Sequence, residues 1–87
     1  MLNVREKMTG LLSLPKEIAL DATVIMATGR TEINIENYKN LLEFTDTKIR
    51  INTREGIIVI EGESLNLGQV TTENLLISGR IFAILYM

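Results

Sequence analysis

Cysteine and histidine are both absent from the 87 residues, tryptophan is absent too, and there is a single proline. The first two absences remove disulfides and thiolate or imidazole metal sites together, leaving only carboxylate sites for hard cations. Missing cysteine also fits a reducing compartment such as the cytoplasm. Aromatic residues make up only 5% of the chain. Long hydrophobic runs are lacking as well: the longest apolar stretch, Ile81 to Met87, falls far short of the ~20 residues a membrane-spanning helix needs. The opening residues Met1-Leu2-Asn3-Val4-Arg5-Glu6-Lys7 carry mixed charge and lead into no apolar core of the kind a secretory signal has. With a net charge of −2 there is no basic footprint for nucleic acid.

What the chain has in quantity is aliphatic side chain, with 46% of residues hydrophobic, mostly Ile and Leu. Its length suits one domain, spanning residues 1–87. A domain this small buries a modest fraction of its surface, so a disulfide, a metal or a partner often helps to stabilise it. With the first excluded and the second restricted, a partner chain is the expected helper. The aliphatic excess reads either as a well-filled core or as an exposed apolar patch that marks an interface.

Between Leu2 and Leu14 the apolar residues Val4, Met8, Leu11 and Leu12 recur at helical spacing opposite Arg5, Glu6 and Lys7. This predicts one short amphipathic helix over residues 1–14, weakened by Gly10 and stopped by Pro15. Its polar face lacks the Lys and Arg excess of a membrane-surface helix, so packing on the domain or docking on a partner is expected. From residue 22 onward the period becomes 2, which predicts a β body over 22–87. Thr23 to Ala27, Glu32 to Glu36, Leu41 to Thr45 and Lys48 to Thr53 read as strands, with Ile49 and Ile51 facing in. Ile57-Ile58-Val59-Ile60 is apolar on both faces and so predicts a central strand. Leu65 and Leu67, then Leu75 to Ile77, and Ile81 to Tyr86 complete the series, with a turn over Thr71 to Asn74. Gly79 inside the last pair of runs marks a bend or bulge at which one long strand turns a corner. A weak echo, Ile60-x-Gly62 and Ile77-x-Gly79, fits a repeated turn in a meander or a stacked solenoid repeat. The expected fold is therefore a small antiparallel meander, curled or barrel-like, over one N-terminal helix, with solenoid-like stacking as the alternative.

No catalytic constellation emerges. Ser13, Ser64 and Ser78 lack a nucleophile-elbow setting and a histidine to activate them. Paired carboxylates could serve acid–base chemistry, but Glu32, Glu36, Glu43, Asp46, Glu55, Glu61, Glu63 and Glu73 fall on strand edges and turns, and so small a scaffold encloses no deep cleft. Gly56 and Gly62 frame a strand rather than opening a helix, unlike a phosphate-cradling loop. Arg50, opposite Ile49 and Ile51 on its strand, is placed to pair with a cross-strand carboxylate or to contact a partner.

Several segments, taken in order, resemble the YabP/YqfC family of sporulation proteins, nearer its YqfC branch. They are Leu14-Pro15-Lys16, Ile35-Glu36-Asn37-Tyr38-Lys39, Glu43-Phe44-Thr45-Asp46, Ile49-Arg50-Ile51-Asn52-Thr53 with Gly56, Ile60-x-Gly62-x-x-Leu65, and Ile77-Ser78-Gly79-Arg80-Ile81 with Leu85-Tyr86. The resemblance implies a protein of endospore-forming bacteria, made in the mother cell during sporulation and linked to a membrane protein of the YqfD type. It implies no activity and no cofactor. The expected function is a non-enzymatic interaction module, cytoplasmic in the mother cell and peripheral to the forespore membrane. The alternative is a self-assembling structural protein of the spore envelope. An exposed sheet edge is the expected docking device, with Ile81, Ile84 and Tyr86, the Ile33 and Ile35 strand, and Arg50 as the candidate interaction residues.

Overall fold

The alternating segments pair as the period-2 pattern requires, apolar positions to one side and polar to the other. The computed structural model describes residues 22–87. They form β1 (Val24–Thr28), β2 (Glu32–Glu36), β3 (Tyr38–Phe44), β4 (Lys48–Thr53), β5 (Gly56–Val70) and β6 (Asn74–Tyr86). All pairings are antiparallel, in one unclosed sheet of order β1-β2-β6-β5-β4-β3. The order corrects the expectation of a simple meander, because β2 pairs with β6 and not with β3; antiparallel pairing throughout also excludes solenoid stacking among the described residues. The helix expected over residues 1–14 lies outside them.

Hairpin chemistry explains the short connections. Thr45 and Thr71 each accept at Oγ1 from the amide three residues on, Lys48 (2.9 Å) and Asn74 (2.8 Å), and each closes its turn with a backbone bond to the same residue's carbonyl. The Thr53 hydroxyl instead donates to the Gly56 carbonyl over 2.6 Å. Such local threonine bonds favour turns over continued strand.

The long β5–β6 hairpin bends near Gly62 and Gly79, dividing the sheet into two layers. One joins β1 and β2 to β6 before Gly79 and β5 after Gly62. The other joins β3 and β4 to β5 before Gly62 and β6 after Gly79. A Cβ on Gly62 would collide with the Arg80 carbonyl, and one on Gly79 would lie 2.6 Å from the Ser64 carbonyl, where φ is also +136°. Only glycine fits these close backbone approaches.

Each bend is covered by a hairpin turn. Thr47 and Asp46 carbonyls accept from the amides of Gly62 (3.1 Å) and Leu65 (2.8 Å); Thr31 and Arg30 carbonyls accept from those of Gly79 (3.1 Å) and Ile81 (2.8 Å). The β3–β4 hairpin therefore stands to β5 as the β1–β2 hairpin stands to β6, an approximate two-fold relation. Lys48-Ile49-Arg50-Ile51-Asn52 corresponds to Glu32-Ile33-Asn34-Ile35-Glu36, and the Ile-x-Gly echo marks the two equivalent corners.

The core lies between the layers. Register builds the rows Ile25-Ile35-Leu75-Val70 and Ala27-Ile33-Ile77-Leu67 in one, and Phe44-Ile49-Ile60-Ile84 and Leu41-Ile51-Ile58-Tyr86 in the other. Their central members Ile33, Ile35, Ile49, Ile51, Ile58, Ile60, Leu75 and Ile77 join Leu65 and Ile81 in a single buried cluster. Burying each such side chain contributes roughly 1.5–3 kcal/mol. Ile58, Val59 and Ile60 are all buried, as a strand apolar on both faces demands.

Candidate functional site: the β6 sheet edge

Between β2 and β3 the chain passes from one layer to the other through the single residue Asn37, at φ +64°, and this crossing leaves β6 at a rim beyond Gly79. Ile57 and Met87 exchange reciprocal backbone bonds of 3.3 and 2.9 Å. Hydrogen-bonded and non-hydrogen-bonded pairs alternate in an antiparallel ladder. Leu85 and Ala83 therefore turn their backbone groups toward β5, while Ile84 and Tyr86 turn theirs away. The β1–β2 turn covers β6 as far as Ile81 and stops. From Ile84 to Tyr86, no described strand lies beyond.

This edge is also apolar. Phe82, Leu85 and Tyr86 are 61%, 44% and 75% exposed. Across the outer face runs the row Glu43-Arg50-Val59-Leu85. The Arg50 guanidinium lies 3.6 Å from the Glu43 carboxylate, and Val59 is only 3% exposed although it points away from the core. Charge therefore sits at the β3 end of the row and aliphatic surface at the β6 end. Between β1 and β6 lie two separate pockets, one lined in part by Ile25, Ile58 and Tyr86 and the other in part by Ala27, Ile33 and Ile84.

The predicted interaction residues separate into three groups. Tyr86 is on the open edge, and Ile84 is half-buried there, packed against the core. Arg50 is half-exposed and held in its cross-strand ion pair. Ile33 and Ile35 are fully buried and Ile81 nearly so; β2 lies between β1 and β6, so its isoleucines build the core rather than a docking edge. Phe82 and Leu85 were not singled out as site residues, although the uninterrupted apolar run from Ile81 was the signal that could have flagged them.

Other polar features have structural partners. Glu55 receives the Thr23 hydroxyl at 2.6 Å and the Thr23 amide at 3.3 Å, and these bonds hold its carboxyl below the ordinary glutamate range. Arg80 meets Glu63 at 3.3 Å on the surface. Among the described residues, no three Asp or Glu side chains gather closely enough to hold a metal ion, and no helix is long and apolar enough to cross a membrane.

Among the described residues, the arrangement is an all-β sheet with an apolar edge on which no further described strand lies. The model of the YabP family matches residues 20–87, and the chain belongs to that family. It is 29% identical over 80 residues to the uncharacterized protein YqfC of Bacillus subtilis (strain 168), covering 92% of this chain and 86% of that protein.

Proposed function

We propose that the protein is a non-enzymatic interaction module of sporulation, working in the mother cell at the cytoplasmic face of the forespore membrane beside a membrane protein of the YqfD type. The observation that carries the interaction role is the β6 edge, where no described strand pairs with the outward-turned backbone groups of Ile84 and Tyr86 and where Phe82, Leu85 and Tyr86 are exposed. Edges of this kind are usually protected by charge, proline or a bulge, and when left open they accept another strand. Membership of the YabP family, which the sequence resemblance linked to sporulation, supports that setting.

The test is capture of tagged full-length chain from sporulating cells of an endospore-forming bacterium, with membranes solubilised in mild detergent. The expected result is one membrane protein recovered by the native chain and lost with Leu85→Lys or Tyr86→Lys, while circular dichroism and thermal unfolding stay unchanged. Undiminished capture by both folded variants would exclude β6 as the docking edge.

A further inference from the structure

The β1–β2 turn is drawn onto β6 by two backbone bonds, from the Gly79 amide to the Thr31 carbonyl at 3.1 Å and from the Ile81 amide to the Arg30 carbonyl at 2.8 Å. These bonds flank Arg80 and bring Arg30 beside it. Both arginines line one small cavity of about 180 Å³, together with Thr31, Ile81 and Phe82. Like charges on neighbouring strands repel, and the backbone does not require them here. The approximate two-fold relation gives the comparison: at the other corner Asp46 offers its carbonyl to Leu65 as Arg30 does to Ile81, and Glu63 follows Gly62 as Arg80 follows Gly79. Equivalent positions thus carry two acids at one corner and two bases at the other. Neither base is firmly held. Among the described residues Arg30 has no ion pair, with Glu32 of its own hairpin or any other acid, and Arg80 meets Glu63 at 3.3 Å with both side chains more than half exposed. An exposed pair of that kind is weak and readily exchanged for a better acceptor.

We infer that Arg30 and Arg80 form a carboxylate clasp, which takes one aspartate or glutamate side chain of a protein partner, with an apolar neighbour of that residue resting on Phe82. The inference rests on the protein being an interaction module, as proposed above, and adds the chemistry of what it recognises; it does not depend on which strand edge is paired. A guanidinium presents its N–H groups as a planar fork that matches a carboxylate, and charge-assisted bonds of this kind are among the strong ones. Ile81 and Phe82, the latter 61% exposed, add an apolar wall beside the two charges. A surface rich in phosphate fits less well. The net charge of the chain is −2, and Asp46 and Glu63 on the adjoining corner would repel the further phosphates of a membrane or a nucleic acid. A single carboxylate needs only the local pair of positive charges.

The test is titration of the isotope-labelled full-length chain with the peptide acetyl-Glu-Leu-Glu-Leu-amide, followed by NMR. The side-chain Nε–H signals of Arg30 and Arg80 and the amides of Thr31 and Phe82 are expected to shift, while Arg50, in its own pair with Glu43, stays in place. The matched Gln-Leu-Gln-Leu peptide should move none of them. Arg30→Gln and Arg80→Gln, each with an unchanged fold by circular dichroism, should weaken peptide binding about tenfold or more, the scale of a lost hydrogen bond to a charged group. No shift at millimolar peptide, equal shifts with the glutamine peptide, or undiminished binding by both folded variants would overturn the inference. Cosedimentation with phosphatidylglycerol vesicles that Arg30→Gln abolishes, without a response to the peptide, would overturn it in favour of a lipid headgroup. Capture from sporulating cells separates the clasp from the edge: normal capture by both arginine variants alongside loss with Leu85→Lys would reject the clasp and keep β6, and the converse would keep the clasp and reject β6.

Discussion

The Thr23 hydroxyl donates to the Glu55 carboxylate over 2.6 Å, joining the approach to β1 in one layer to the β4–β5 turn of the other. Glu55 is exposed, yet these bonds favour its ionised form and hold its pKa low. A carboxylate whose folded pKa is depressed contributes stability that is fully present above its unfolded value, ~4.3 for glutamate, and lost as pH falls through the folded value. Stability should therefore be insensitive to this group from pH 7 to 5 and decline in more acidic solution. In Glu55→Gln the acid-side decline should be shallower. Urea unfolding at a series of pH values measures both slopes.

Gly79→Ala should be among the most damaging single-methyl additions. The new Cβ would sit 2.6 Å from the Ser64 carbonyl and 3.0 Å from the Leu65 Cα, at a φ that L-residues rarely adopt. Backbone strain of this kind costs about 1–3 kcal/mol before the clash is counted. Chemical denaturation should show a lowered midpoint, or loss of the cooperative transition.

Gly79 also shows what could be read in advance. Its place inside an apolar run signalled a corner, and Ile57 to Ile60 signalled a central strand, because both features are local in sequence. Arg50 pairing with a cross-strand carboxylate was legible from alternation alone. Strand order was not, since the β2–β6 pairing joins segments some 40 residues apart, and short connections suggested only sequential neighbours. For the same reason the Ile-x-Gly echo was visible but its meaning was hidden: the hairpins that complete the two equivalent units precede both glycines. Ile33 and Ile35 looked like an edge because a half-buried strand has the same alternation at a rim as in a sheet's middle.

Truncating the core should cost far more than breaking its surface ion pair. Ile77 is fully buried in the row Ala27-Ile33-Ile77-Leu67, and Ile77→Ala should remove about 2–5 kcal/mol. The Arg50–Glu43 pair is over one-third exposed on both sides at 3.6 Å, so its contribution should be about 0–1 kcal/mol and weaken with salt. A double-mutant cycle of Arg50→Ala and Glu43→Ala at low and high ionic strength measures that coupling.

Asn37 offers a separate test of the crossing between layers. Its φ of +64° lies in the left-handed region, which asparagine tolerates and β-branched residues strongly resist. Its side-chain amide also donates to the Ala22 carbonyl at 2.8 Å, and its backbone amide to the Glu73 carbonyl at 2.7 Å. Asn37→Gly keeps the dihedral and the backbone bond but loses the side-chain bond, worth about 0.5–1.5 kcal/mol. Asn37→Val loses that bond and adds roughly 1–2 kcal/mol for the left-handed conformation. The expected order of thermal stability is native, then Asn37→Gly, then Asn37→Val. If valine were no worse than glycine, the side-chain bond, and not the dihedral, would govern this crossing.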